Sequence, residues 1–167
     1  MIVILRHGEG RSGALFVNNQ RLPALIGAGG IRTDKSEGDQ ATPVGFLPFR
    51  QVFYRADRVS RPQTRLRVEA LSPVDGWCDD PTHRDYNKHV SLPHEARHER
   101  LWRDDHCYDI CVVLGWNDDP IMRNRGSAIF LHLPPDSGVT EGCVALTELL
   151  LRQLIASDAT GIEVRND

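Results

Sequence analysis

Residues 126–132 and 140–146 read Gly126-Ser127-Ala128-Ile129-Phe130-Leu131-His132 and Thr140-Glu141-Gly142-Cys143-Val144-Ala145-Leu146, the clearest pattern in the chain. Alternation through residues 128–133 predicts a β-strand with Phe130 and His132 on the same face. Residues 133–139 hold two prolines and a glycine, which favours a loop that turns back. The pattern therefore predicts a strand that ends in a histidine and a loop that presents a cysteine just before a helix.

This arrangement suits acyl transfer by a thiol. An unperturbed thiol has a pKa of about 8.5 and is mostly protonated at neutral pH, so a neighbouring imidazole must take its proton. We therefore expect Cys143 to be the nucleophile and His132 its general base. Gly142 leaves room for a carbonyl close to the backbone, and the amide groups of Gly142 and Cys143 are the candidates for an oxyanion hole.

Composition sets the remaining bounds. The chain has 167 residues, 40% of them hydrophobic and 26% charged, with a formal net charge of −3. These values predict one globular domain over residues 1–167 that needs no disulfide or metal to fold. A mildly acidic chain with interspersed charges is not a typical nucleic-acid binder, and no apolar run is long enough to predict a membrane span. Its oligomeric state stays open.

Short apolar runs separated by Gly, Pro, Asn and Asp predict a mainly β domain with a few short helices. The predicted strands cover residues 2–5, 14–17, 47–54, 65–71, 110–116, 128–133 and 162–164. Apolar periodicity predicts one helix over residues 148–157 with Thr147 as N-cap, and a weaker one over residues 94–103 that starts after Pro93. The first strand is too short in apolar residues for a secretory signal.

The cysteine block and a second block together resemble the L,D-transpeptidase (YkuD-like) family. The family's cysteine signature is Ser/Thr-His-Gly-Cys, and the equivalent residues here are Thr140-Glu141-Gly142-Cys143. The second block, Lys35-Ser36-Glu37-Gly38-Asp39-Gln40-Ala41-Thr42-Pro43-Val44-Gly45-Phe46, is similar to the family's Gly-Asp-x-x-Thr-Pro-x-Gly segment. The resemblance covers most of the chain.

The resemblance implies a β-sandwich catalytic domain and a two-step transfer between peptidoglycan stem peptides, through a thioester on Cys143, with no metal or organic cofactor. It also implies a periplasmic or cell-envelope location, although a cytoplasmic one stays open. Glu141 stands where the family has His, and Ala145 where it commonly has Arg or Asn. Because both positions are expected to touch the peptide, the product could be a 3-3 diaminopimelate link or a 1-3 L-Ala–diaminopimelate link.

Further substrate contacts are expected from Thr140 and from a polar and aromatic loop that contains Trp77, Tyr86 and Asn87. The same cysteine could instead serve a carboxypeptidase, endopeptidase or amidase if water replaces the acceptor amine. A non-enzymatic cell-wall binding module is a third possibility.

A competing motif lies at His94-Glu95-Ala96-Arg97-His98, which matches H-E-x-x-H. On a helix, its two histidines could bind zinc while Glu95 acts as general base. A third ligand would have to be His106, Asp104 or Asp105, none at a recognised spacing. We therefore expect this segment to be a solvated helix anchored by Leu101 and Trp102 rather than a metal site.

Overall fold

The computed structural model describes residues 1–9 and 12–167. Its only helix within those residues is Glu148–Ala156 (α1). The strands, in chain order, are Val3–His7 (β1), Ser12–Val17 (β2), Gln20–Leu25 (β3), Ile31–Arg32 (β4), Thr42–Pro43 (β5), Gly45–Tyr54 (β6), Arg67–Ala70 (β7), Asp75–Cys78 (β8), His89–Ser91 (β9), His98–Arg100 (β10), Ile110–Leu114 (β11), Phe130–His132 (β12), Val144–Ala145 (β13) and Gly161–Val164 (β14). The predicted mainly β class is confirmed.

Eight strands close into a ring. The nine-stranded sheet has the order β11-β12-β13-β3-β2-β1-β14-β6-β7, and β6 also pairs with β11. The ten-residue strand β6 makes this closure possible, because Gly45–Pro48 pair with β14 and Phe49–Tyr54 pair with β11. The strands therefore form a barrel-like ring where two facing sheets were expected. Closure removes the exposed edges that an open sheet would leave.

Strands β11 and β12 are buried on both faces, so they lie between two hydrophobic clusters. One face carries Val112 and Leu131 into the main core, together with the buried leucines of α1. The other face carries Cys111 and Phe130 into a second cluster that also contains Cys143. A strand buried on both faces needs a continuous apolar run, as residues 110–114 have.

All seven predicted strands have a counterpart, with ends that differ by a few residues. The predicted helix over residues 148–157 is also present as α1, and Glu148 accepts a hydrogen bond from Arg152 at 2.7 Å. Thr147 stands at the N-cap position, although its side chain makes no capping hydrogen bond.

The predicted helix over residues 94–103 is wrong. Within it lies strand β10, which pairs antiparallel with β8 so that His98 faces Cys78 and Glu99 faces Trp77. Strands β10, β8 and β9 form a separate three-stranded sheet, and Trp77 packs edge-on against Phe130 with ring centroids 5.1 Å apart. Pairing with a strand about twenty residues earlier overrides a weak local helical pattern.

Candidate active site

A cavity of about 710 Å³ opens beside the end of β12 and the loop that precedes β13. Cys143 and His132 both line it, and they are 8% and 4% exposed. The lining also contains Glu99 and Tyr108, and Lys35 from the second sequence block. The fold thus brings the two predicted reactive residues to one cavity.

The thiol of Cys143 is held by the backbone of the histidine strand. It donates a hydrogen bond to the carbonyl of Ala128 at 3.2 Å and accepts one from the amide of Phe130 at 3.3 Å. Burial, followed by the negative charge of Glu99, raises the pKa of the Cys143 thiol to about 12. The resting sulfur is therefore protonated at neutral pH, and a nucleophilic role requires a base.

His132 is fixed in one tautomer by its own strand end. Its Nδ1 lies 2.6 Å from the carbonyl of Leu133, and because a carbonyl only accepts, Nδ1 carries the proton. The Nε2 atom is then left with a lone pair. Burial lowers the pKa of His132 to about 4, so the ring is neutral at pH 7 and able to accept a proton.

The two side chains share the cavity without a direct hydrogen bond in the described structure. Strand pairing places Leu131 beside Val144, which puts Cys143 level with Phe130. His132 lies two residues further, an offset of about 7 Å along the strand. In this arrangement the thiol is directed to the Ala128 carbonyl and not to the imidazole.

The loop before Cys143 is tied to the Thr-Pro block. The Thr42 hydroxyl donates to the carbonyl of Gly142 at 2.9 Å and accepts from the amide of Gly27 at 2.9 Å. Gly142 has φ +122°, and a Cβ there would lie 2.8 Å from the Ala41 carbonyl. Only glycine fits this position without strain.

The second sequence block also carries a buried ion pair. The Lys35 ammonium lies 2.6 Å from Asp39, with both side chains largely buried. Burial acts to raise the pKa of Asp39, but the hydrogen bonds from Lys35 and from the amides of Ser36 and Ala41 outweigh it and hold that pKa below its usual value. Two amides and an ammonium therefore fix the start of the block that supports the cysteine loop.

The remaining predicted contact residues are dispersed. Glu141 is exposed and lines the large cavity, and Thr140 lines it while its hydroxyl donates to the Cys143 carbonyl at 2.7 Å. Ala145 is 1% exposed in β13 and does not line the cavity. Trp77 and Asn87 instead line a smaller cavity of about 350 Å³.

The predicted loop residues form hydrogen bonds with the segment that leads into the histidine strand. Asn87 accepts from the Trp77 indole at 3.0 Å and from the Ala128 amide at 3.1 Å. The Tyr86 hydroxyl donates to Glu37 and accepts from the amide of Gly126 at 3.0 Å. These contacts hold the histidine strand, and Glu37 in turn lines the large cavity.

Sequence reasoning missed an acidic and aromatic group opposite the cysteine. The Tyr108 hydroxyl donates to Glu99, and the Tyr108 ring meets His132 edge-on at 5.2 Å between centroids. Burial raises the pKa of Glu99 to about 7, although the hydrogen bond from Tyr108 and the charge of Arg103 oppose the rise. Glu99 lies inside the segment read as a helix, so no signal placed it here.

The H-E-x-x-H segment does not form the helical zinc site that was considered. His94 instead lies with His83 and Asp85, whose ligand atoms fall within 4.8 Å of one another. Both histidines accept a backbone amide at Nδ1, from Ala96 and Asp85, at 3.2 and 3.1 Å. Their Nε2 atoms therefore carry protons and donate to carboxylates, which does not fit binding of a metal through Nε2.

The chain is thus a barrel-like β domain whose Cys143 and His132 line one cavity. Residues 5–156 match the family model described as YkuD, L,D-transpeptidase catalytic domain. The chain therefore belongs to the YkuD family of L,D-transpeptidase catalytic domains, whose members act on peptidoglycan. No curated protein matches the chain.

One solved structure is similar, described as the structure of Bdellovibrio bacteriovorus Bd1075. The alignment has 17% sequence identity and a TM-score of 0.46, and it covers 99% of this chain and 47% of that one. The chain thus spans about half the length of that protein. None of the helices among residues 1–9 and 12–167 is long and apolar enough to cross a membrane.

Proposed function

We propose that this chain is a single catalytic domain that cross-links peptidoglycan stem peptides through a thioester on Cys143, and that it acts in the cell envelope, as is typical of its family. The observation that carries the proposal is the presence of a protonated thiol and a neutral imidazole in one cavity. The Leu133 carbonyl holds the Nδ1 proton, which leaves Nε2 free to accept another.

In the first half-reaction, His132 takes the thiol proton and the sulfur attacks a stem-peptide carbonyl. The carbon–nitrogen bond then breaks, and His132 returns the proton to the departing amine. A pKa of about 4 keeps the imidazole neutral before the step and makes it a good proton donor after it. The products are a thioester on Cys143 and a free amine.

The negative oxygen of the tetrahedral intermediate needs hydrogen-bond donors. Among the described residues, the amides of Gly142 and Cys143 donate to no other group, whereas Thr42 and Thr140 hold the two carbonyls of the same residues. A loop fixed through its carbonyls with its amides unused supports the assignment of these amides as the oxyanion hole. Such donors typically contribute about 3 kcal/mol each.

The charge of the cavity favours a substrate that carries an ammonium group. Its lining includes two basic residues, Lys35 and Arg103, and six acids: Glu37, Asp79, Glu99, Asp105, Asp136 and Glu141. Both basic groups already pair with acids, Asp39 and Asp105. Diaminopimelate presents such an amine, both in a 3-3 link and in a 1-3 link. Glu141, exposed at the cavity, is our candidate for contact with the donor stem peptide.

The test is intact-protein mass spectrometry with a carbapenem and with disaccharide-tetrapeptide monomers. We expect an acyl adduct on the wild type and none on Cys143→Ala. His132→Ala should slow adduct formation by about 10²- to 10⁴-fold while the protein stays folded. Dimeric muropeptides indicate transfer and give the link type by fragmentation, whereas shortened monomers indicate hydrolysis. A folded wild type that never forms an adduct contradicts the proposal.

A further inference from the structure

Glu99 is an acidic side chain in the same cavity as the two candidate catalytic residues. It projects from β10 into the cavity that contains Cys143 and His132, and its side chain is 27% exposed. Its charge acts on the thiol strongly enough to be the second cause of the raised Cys143 pKa. The carboxylate therefore shares a cavity with the thiol and is partly open to it.

The charge of Glu99 is only weakly neutralised by the protein. Arg103 forms a two-point pair with Asp105, with 2.8 Å between Nε and Oδ1, and approaches Glu99 no closer than 3.8 Å. Tyr108 supplies a hydrogen bond but no charge. Asp79 and Glu141 face Glu99 as further negative groups. A positively charged group of the substrate would supply the close cationic partner that Glu99 lacks.

Burial makes Glu99 a group that can gain and lose a proton near neutral pH, because it raises the pKa to about 7. His132 has a pKa of about 4 and is a much weaker base towards an ammonium group. A base whose pKa lies near the operating pH removes such a proton more effectively. The two residues are therefore suited to different proton transfers.

We propose that Glu99 is the catalytic residue that receives the acyl acceptor, binding its ammonium group and taking one proton from it. This inference rests on the proposed function. The ammonium becomes a neutral amine as Glu99 becomes a carboxylic acid, and the amine nitrogen then attacks the thioester carbonyl. His132 takes a second proton from that nitrogen and returns it to the sulfur as the carbon–sulfur bond breaks. Glu99 finally releases its proton to solvent.

The variant Glu99→Gln is used to measure the two half-reactions separately. Gln has the same shape and still accepts the Tyr108 hydroxyl, so we expect the fold to survive. The protein is first acylated with a disaccharide-tetrapeptide and then mixed with one of two amines. The first is a diaminopimelate-containing tripeptide, whose amine is an ammonium at pH 7. The second is hydroxylamine, which is largely neutral at that pH and needs no base.

We expect Glu99→Gln to form the thioester at least as fast as the wild type and to transfer it to the tripeptide about 100-fold more slowly. Transfer to hydroxylamine should change by less than about 3-fold, within the spread expected without loss of a general base. The rise of wild-type transfer rate around pH 7 should disappear. Tyr108→Phe removes a hydrogen bond to the carboxylate, so it should move that rise to higher pH.

Equal losses with both amines would assign Glu99 a structural role and overturn the inference. Unchanged transfer to the tripeptide, with the wild-type pH profile, would also overturn it. Both results still require a wild-type thioester. If the wild type forms none, the proposed function itself fails, so the two failures are distinguishable. Glu69→Gln, a substitution on β7 outside the cavity, serves as a charge-matched control.

Discussion

Thr42→Val should separate the nucleophile loop from its support. The Thr42 side chain is fully buried, and its hydroxyl joins the Gly27 amide to the Gly142 carbonyl. Valine keeps the volume but removes both hydrogen bonds. A buried amide or carbonyl left without a partner costs about 1–3 kcal/mol. Two such groups predict a loss of about 2–6 kcal/mol in the free energy of unfolding, a large part of a typical total of about 5–15 kcal/mol.

The assay is urea denaturation followed by fluorescence of the tryptophans, with the rate of Cys143 acylation measured on the same samples at low urea. Thr42→Ser is the matched control, because it keeps the hydroxyl and removes only a methyl group. We expect Ser to lose about 1 kcal/mol, as for one buried methyl. The Val variant should also acylate more slowly, because the carbonyl of Gly142 no longer fixes the candidate oxyanion amides.

The reasoning is refuted if Thr42→Val is as stable as Thr42→Ser and acylates at the wild-type rate. That result would mean that the loop is held by other contacts, among them the Thr140 hydroxyl on the Cys143 carbonyl. A stable Val variant with slow acylation would instead separate positioning from stability. Thr42 would then position the oxyanion amides without contributing the predicted amount, about 2–6 kcal/mol, to the free energy of unfolding.

Three further results are expected. Gly142→Ala should acylate at least about 100-fold more slowly, because φ +122° and the Ala41 carbonyl at 2.8 Å force the loop to move. Mass spectrometry of the acyl adduct measures this rate, and a wild-type rate contradicts the prediction. Folding lowers the pKa of His132 from 6.5 to about 4. The free energy of unfolding of the wild type should therefore fall by about 3 kcal/mol as the pH drops from 6.5 to 4, and urea titrations of His132→Gln should lack this fall. Folding raises the pKa of Glu99 from 4.5 to about 7, so its contribution should be lost as pH rises through that range, and Glu99→Gln should gain about 2–3 kcal/mol on the wild type at pH 8 but little at pH 4.

The parts of the fold that follow local rules were predictable. Residues 110–114 form an unbroken apolar run, and the structure uses them as a strand buried on both faces. Residues 148–157 have a helical apolar stripe and form α1. The ring of strands was not predictable in this way, because its closure depends on β6 pairing with both β14 and β11, more than fifty residues away.

The candidate site divides along the same line. Cys143 and His132 lie in adjacent blocks with a recognisable spacing, so the sequence alone pointed to them. Glu99 joins the cavity only because β10 pairs with β8, and the local pattern there suggested a helix. Thr42 was visible as part of a block, but its hydrogen bond to Gly142 spans one hundred residues. Contacts between residues so far apart in the chain leave no periodic pattern in the sequence.

The pKa values of three side chains in the cavity, Cys143, His132 and Glu99, are shifted in ways that are compatible with one another. The thiol pKa is raised to about 12 and the imidazole pKa is lowered to about 4, so neither Cys143 nor His132 carries a charge at neutral pH. Glu99, with a pKa of about 7, is divided between its two forms. Burial causes all three shifts, because a low dielectric disfavours whichever form is charged. Cys143 and His132 therefore develop charge only along the reaction, where preorganised amides and the carboxylate of Glu99 can act on it.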